Sequence, residues 1–203
     1  MAGSSGAKRN PTARGGETMV ITDDFIWLHV PKCGGTDIRM QLKRQGGYSL
    51  EGFINWLGRR MRRAHMLVDE MTEYAEQDET LAAALASSSP TIAFCRHPVN
   101  RFRSICAFTH MTPDDVIREL RSPNAHRSFD SRLMLPQSMF APPRTIWLRL
   151  EDLSGSNTRI NGYDFDLRKA SNTSASYSVP LEERHLEFIR DFYAGDHALG
   201  NYG

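Results

Sequence analysis

Phe25-Ile-Trp-Leu-His-Val-Pro-Lys32-Cys-Gly34-Gly35-Thr36 is the stretch on which the fold turns. Its first half, Phe25 to Val30, is a short continuous apolar run of the length and composition of a buried strand. It ends in a lysine, two glycines and a threonine, and a helical pattern follows from about Gly35 to Lys43. A strand feeding a glycine turn and then a helix N-terminus is suited to an anion, because unpaired backbone N–H groups and the helix dipole converge there. Glycines let the backbone come close to the ligand. Lys32 adds a mobile point charge and Thr36 a hydroxyl donor. The order is not that of a Walker A loop, in which lysine follows the glycines.

A second junction of the same kind lies at Thr91-Ile-Ala-Phe-Cys-Arg96-His-Pro-Val-Asn-Arg101-Phe-Arg103-Ser104. Thr91 to Cys95 reads as another strand, and Pro98 suits the first turn of a helix, where its missing N–H is not needed. Phe102, Cys106 and Phe108 or Thr109 recur with helical spacing and predict a buried face. Arg96 stands at the strand end, and an arginine fork matches the oxygens of a phosphate.

Around these junctions the pattern alternates. A short amphipathic helix is expected through Phe53, Ile54, Trp56 and Leu57, and a longer one from Val68 to Leu85, closed by Ser87-Ser88-Ser89-Pro90. Thr112-Pro113 marks a further helix start. Thr145 to Leu150 reads as a third strand, residues 154 to 179 as mostly loop, and Pro180 opens a last helix. Strands alternating with helices predict an α/β fold: three layers, with a mainly parallel central sheet flanked by helices. Ligands of such sheets bind beyond the carboxyl ends of the strands, where both junctions fall.

Composition narrows the class. The chain has 203 residues, 40% of them hydrophobic, enough for one core. A net charge of +1 gives no broad basic field, which argues against a dedicated nucleic-acid binder. The basic residues cluster locally at Arg59-Arg60-Met61-Arg62-Arg63, a run suited to recruiting a polyanion. Cys33, Cys95 and Cys106 lack zinc or redox-motif spacing and point to free thiols in a reducing compartment; Cys33, inside the anion loop, is a candidate reactive thiol. No stretch is long and apolar enough to span a membrane, and the first eighteen residues have no apolar core of a signal peptide. We therefore expect residues 1–18 to be a disordered arm or an added leader, and residues 19–203 to form a single domain that is cytoplasmic or otherwise soluble.

The order Pro-Lys32-Cys33-Gly34-Gly35-Thr36 resembles the 5′-phosphosulfate loop of sulfotransferases that use PAPS (3′-phosphoadenosine 5′-phosphosulfate), and Arg96-x-Pro98-x-x-Arg101-x-x-Ser104 resembles their 3′-phosphate motif. Arg149-Leu-Glu151-Asp-Leu153, Pro136-Gln137, Asn172-Thr-Ser174 and Phe192-Tyr193-Ala-Gly-Asp196 are similar to later segments of the carbohydrate sulfotransferase superfamily, of the family 2-like kind. The resemblance spans about residues 25 to 203. It implies a P-loop-like sulfotransferase fold and transfer of a sulfuryl group from PAPS to an acceptor hydroxyl, of a glycan or another alcohol, with 3′,5′-adenosine bisphosphate as product and no metal. The implied cofactor-binding residues are Lys32, Cys33, Gly34, Gly35, Thr36, Asp37, Arg96, Ser104, Asn172 and Ser174. The implied catalytic pair is Lys32, for the charge on the leaving oxygen, and His65, as base. His65 lies in Ala64-His65-Met66-Leu67-Val68-Asp69-Glu70, which resembles the family's His-x-Thr-x-x-Glu segment; Asp69 and Glu70 are second choices. Eukaryotic relatives are commonly membrane-anchored Golgi enzymes, so this chain is expected to be a soluble bacterial or viral form, or a trimmed one. Asp37 departs from the family's usual residue and would repel the 5′ end if it faced inward. Two other readings stay open: a nucleotide-dependent phosphotransferase, and a non-catalytic nucleotide- or glycan-binding protein of the same fold.

Overall fold

The computed structural model describes residues 17–51, 53–56, 59–62, 66–123, 125, 129–153, 157–167 and 179–202. Its strands are β1 (Glu17–Ile21), β2 (Ile26–Leu28), β3 (Tyr48–Glu51), β4 (Phe53–Trp56), β5 (Arg59–Arg62), β6 (Thr91–Cys95), β7 (Ile146–Arg149), β8 (Asn157–Ile160) and β9 (Tyr163–Asp166). Its helices are α1 (Gly35–Arg44), α2 (Val68–Tyr74), α3 (Glu79–Ala86), α4 (Pro98–Thr109), α5 (Pro113–Leu120), α6 (Phe129–Met134), α7 (Leu150–Leu153), α8 (Glu183–Phe192) and α9 (Ala194–Leu199), with 3₁₀ turns at Ala75–Gln77 and Gln137–Phe140.

Five strands form one sheet in the order β3-β1-β2-β6-β7. β2 pairs parallel with β6, and β6 parallel with β7. β1 runs antiparallel to both β2 and β3, so β3 shares the direction of the other three. The protein is therefore mixed α/β, with a mainly parallel sheet flanked by helices. Because β2 and β6 are neighbours in register (Trp27 opposite Ile92, Leu28 opposite Ala93), the chain leaves both at one edge, and β7 ends beside them.

Burial explains the central strands. Ile26, Trp27, Leu28, Ile92, Ala93 and Phe94 are all buried, the continuous apolar reading of strands covered on two faces. Ile38 and Leu42 of α1, Phe102 and Ile105 of α4 and Ile189 of α8 complete the core. Thr112 caps α5 as its sequence predicts: its hydroxyl accepts from the Asp115 N–H at 3.2 Å, ahead of Pro113 in the first turn.

Three expectations need correction. Phe53 to Trp56 is not a helix but β4, paired antiparallel with the arginine strand β5 (Phe53 opposite Arg62, Trp56 opposite Arg59); aromatic and β-branched residues suit a pleated surface better than a short isolated helix. The Val68–Leu85 helix breaks into α2, a 3₁₀ turn and α3, because the Asp78 carboxylate accepts from the Leu81 N–H at 3.0 Å and starts a new helix. The stretch after residue 154 holds a hairpin, β8–β9, turned by Asn161 and Gly162, both at positive φ. β1 starts at Glu17, two residues ahead of Met19.

Candidate functional site

Strand β2 ends at Leu28, and the chain then turns sharply into α1. Lys32 takes φ 66° and Gly34 φ 75°, with Cys33 between them. Left-handed backbone at a lysine costs about 1–2 kcal/mol, and its alternation with ordinary backbone turns successive N–H groups toward one concave side. The Gly34 carbonyl takes the N–H groups of Asp37 and Ile38 at 3.2 and 3.4 Å, which starts the helix. No side chain caps α1, and among the described residues the N–H groups of Gly34, Gly35 and Thr36 make no hydrogen bond.

The glycines are required by space. A Cβ on Gly34 would lie 2.9 Å from Leu150 Cδ1, at the end of β7, and one on Gly35 would lie 2.5 Å from His29 Cε1. The loop backbone is thus pressed between the carboxyl ends of β2 and β7. His29 is half-buried with its Nδ1 shielded from solvent, and its pKa falls from 6.5 to about 4, through desolvation first, then the charges of Arg39 and Lys32.

Lys32 is half-buried, with Nζ 4.0 Å from the centroid of the Phe108 ring on α4. Among the described residues it pairs with no carboxylate. Burial, then the nearby Arg96 charge, holds its ammonium down from 10.5 to about 8. The Arg96 effect places the two cations in one electrostatic field. Ser104, one helical turn before Phe108, is buried, and its hydroxyl has no hydrogen-bond partner among the described residues.

The loops are held together by groups that do not point into them. Gln137 is fully buried; its Oε1 accepts the Arg96 N–H at 2.8 Å and the Cys33 thiol at 2.9 Å, and its Nε2 donates to the Arg96 carbonyl at 2.9 Å. Arg101, also buried, donates from Nε to the Pro31 carbonyl at 3.0 Å and from Nη2 to the Leu133 carbonyl at 2.9 Å. Asp196 lies 4.0 Å from Arg101 Nη1 and accepts the N–H groups of Gln137 and Ser138 at 2.8 and 3.1 Å, and so fixes the 3₁₀ turn that carries Gln137. Glu151 accepts the His97 N–H and the Tyr202 hydroxyl, each at 2.8 Å. The result is one hydrogen-bonded frame joining the carboxyl ends of β2, β6 and β7.

Several proposed site residues now have positions. Lys32 and Arg96 share one electrostatic neighbourhood, and the Lys32 ammonium rests on Phe108, one turn of α4 beyond Ser104. Gly34, Gly35 and Thr36 form the open N-terminus of α1, and Thr36 is exposed. Cys33 turns inward: burial pushes its thiol up to about 12, it donates to Gln137, and its N–H is taken by the Val30 carbonyl at 3.3 Å. It is thus no reactive thiol. The Asp37 N–H is spent on Gly34, so Asp37 has no backbone donor to offer an anion. His97 caps α4: its Nδ1 accepts the Val99 N–H at 3.2 Å. Glu70 is taken up by the Leu67 N–H at 2.9 Å and by the guanidinium of Arg132, which rules it out as a free base. His65, Asn172 and Ser174 lie outside the described residues. Arg103 Nε donates to the Val179 carbonyl at 3.3 Å, where the described chain resumes after Leu167.

A cleft of about 430 Å³ opens elsewhere, between the start of α2, the 3₁₀ turn and β7, lined by Leu67, Asp69, Met139, Pro142, Trp147 and Leu199 among others. Among the described residues no group of three or more acidic, histidine or cysteine side chains is placed to hold a metal ion, and no helix is long and apolar enough to cross a membrane.

A scan against protein-family models and searches of curated proteins and of solved structures find no match to this chain.

Proposed function

We propose that the chain is a PAPS-dependent sulfotransferase with a P-loop-like fold, which passes a sulfuryl group to an acceptor hydroxyl. One observation carries the reading. Two anion-suited junctions leave neighbouring parallel strands at the same edge, and a single buried side chain, Gln137, bonds to both. Two cradles locked at short range suit a ligand with an anionic group at each end better than a simple phosphate.

The donor set fits such a ligand. The N–H groups of Gly34, Gly35 and Thr36, unpaired among the described residues, and the Lys32 ammonium serve the 5′ end; Arg96 and the buried Ser104 serve the 3′-phosphate. When bound, PAPS supplies an activated sulfuryl group whose departure leaves negative charge on the bridging oxygen. Lys32 Nζ is the cation of this chain that would offset that charge. His65 remains the proposed base for the acceptor proton, and Asn172 and Ser174 the proposed late cofactor contacts. The acceptor class stays that of a carbohydrate or other alcohol.

Binding of 3′,5′-adenosine bisphosphate, read by titration calorimetry, tests the reading. The expected affinity is nanomolar to micromolar, roughly 8–12 kcal/mol, reduced about tenfold or more by Arg96→Ala and by Ser104→Ala. Indifference to both substitutions overturns the site. Transfer from labelled PAPS to a panel of glycans and simple alcohols, lost in Lys32→Ala and His65→Ala, tests the activity. Tighter, magnesium-dependent binding of ATP would favour the phosphotransferase, and tight bisphosphate binding with no transfer to any acceptor the non-catalytic protein.

A further inference from the structure

Phe108 is a large apolar side chain, 52% exposed, on the third turn of α4. Exposed phenylalanines normally need no explanation, but this ring covers the ammonium of Lys32 at 4.0 Å. Lys32 is fixed at its other end by a left-handed backbone, with φ 66°. Its side chain therefore has a set origin and a set seat. Phe108 and Ser104 are four residues apart on one helix, which puts them on one stripe of α4. The ammonium rests on the stripe of α4 that also carries Ser104.

The kind of seat matters. A carboxylate at that point would neutralise Lys32 and compete with an incoming oxyanion. An aromatic face attracts the cation through its quadrupole but takes up none of its hydrogen-bonding directions. The ring also excludes water from an ammonium that faces Arg96 at the end of β6, Arg101 on α4, Cys33 in its own loop and His29 at the end of β2.

We propose that Phe108 is the positioning residue for Lys32, its ring holding the ammonium charged and aimed along α4 until an oxyanion takes it. The proposal rests on reading Lys32 as the anion-gripping cation, and it deepens that reading by assigning the group that presets it. Ring contact is weaker than a charge-assisted hydrogen bond, so an arriving phosphate or sulfate oxygen displaces the ring at little cost.

The test is competitive acetylation of Lys32 in the full chain across pH 6 to 11, read by mass spectrometry of its peptide. Phe108→Leu keeps an apolar cover and removes the quadrupole, so the labelling midpoint falls by about half a pH unit. Phe108→Trp holds the midpoint at or above that of the wild type. Phe108→Ala admits water and moves it up toward an ordinary lysine. Coincident curves for wild type and Phe108→Leu overturn the proposal, as does a fall in Phe108→Ala. Because the labelling uses no nucleotide, the two readings fail separately. The expected order of midpoints in a chain that binds no bisphosphate keeps the positioning role and removes the sulfotransferase, whereas unchanged midpoints in a chain that binds it do the reverse.

Discussion

Arg96 and Gln137 form a closed pair: the backbone N–H of Arg96 donates to Gln137 Oε1 at 2.8 Å, and Gln137 Nε2 donates back to the Arg96 carbonyl at 2.9 Å. The side-chain amide stands in for a neighbouring strand just where β6 stops pairing, and its spare acceptor capacity takes the Cys33 thiol. Replacing Gln137 with Leu leaves two backbone groups without partners, at a cost of about 3 kcal/mol in total. Urea unfolding should show this as a lower midpoint with an unchanged slope. Bisphosphate affinity should fall as well, since both cradles lose their common anchor. An unaltered urea midpoint would show that the amide is not the staple.

Gly35 and His29 make a second testable pair. The Gly35→Ala methyl would sit 2.5 Å from the imidazole, so the variant should lose about 1–3 kcal/mol. Removing the ring should relieve the clash. The double variant His29→Ala, Gly35→Ala is therefore expected to fall short of the sum of the single losses by about 1 kcal/mol or more in a thermal or urea cycle. Simple additivity would mean that some other contact demands the glycine.

Lys32 sets a pH dependence for anion binding. Its ammonium titrates near 8 in the free protein, below the ordinary 10.5. A bound oxyanion favours the charged form, so binding takes up a proton above pH 8 and weakens as pH rises. Bisphosphate affinity should be level from pH 6.5 to 7.5 and fall by up to about tenfold per unit beyond 8. In Lys32→Met the affinity should be lower and that slope should vanish. A slope that persists in Lys32→Met assigns the titration to another group.

His29 sets a pH dependence for stability. Its folded-state pKa is about 4, against 6.5 when unfolded. Between those values the unfolded chain binds the extra proton, so stability rises with pH across the window and is lost as pH falls from 6.5 to 4. The full effect is about 3 kcal/mol. Urea midpoints measured at pH 7 and pH 4 should converge in His29→Gln relative to the wild type, and equal pH sensitivity in both would clear His29 of this role.

The parts of the fold set by continuous apolar runs were legible in the sequence. Strands β2, β6 and β7 were readable because Ile26-Trp27-Leu28, Ile92-Ala93-Phe94 and Ile146-Trp147-Leu148 carry no polar interruption, and α4 and α5 because proline marks their first turns. The parts that depend on pairing partners were not. β3 begins at Tyr48, which is 61% exposed, so its apolar content is too low to mark it out, and only its antiparallel register with β1 makes it a strand. The β8–β9 hairpin had a local signal, the Asn161-Gly162 pair that favours a tight turn, masked by the polar residues around it. In the site, Lys32 and Arg96 were legible as charges at strand ends. The roles of Gln137, Arg101, Glu151 and Asp196 as fasteners were not, because a buried polar side chain declares itself only once its partners, up to 104 residues away, are in place.

The three thiols offer an unexpected convenience. Cys33 sits in the first loop, Cys95 closes β6 and Cys106 lies in the last third of α4, and all are buried with their thiols pushed upward, Cys33 to about 12 and Cys106 to about 11. An alkylating dye added to the native protein would therefore meet silence, and each sulfur would label only when its own neighbourhood opens. The chain carries three clocks of local breathing, spaced along both cradles and readable without installing a single probe.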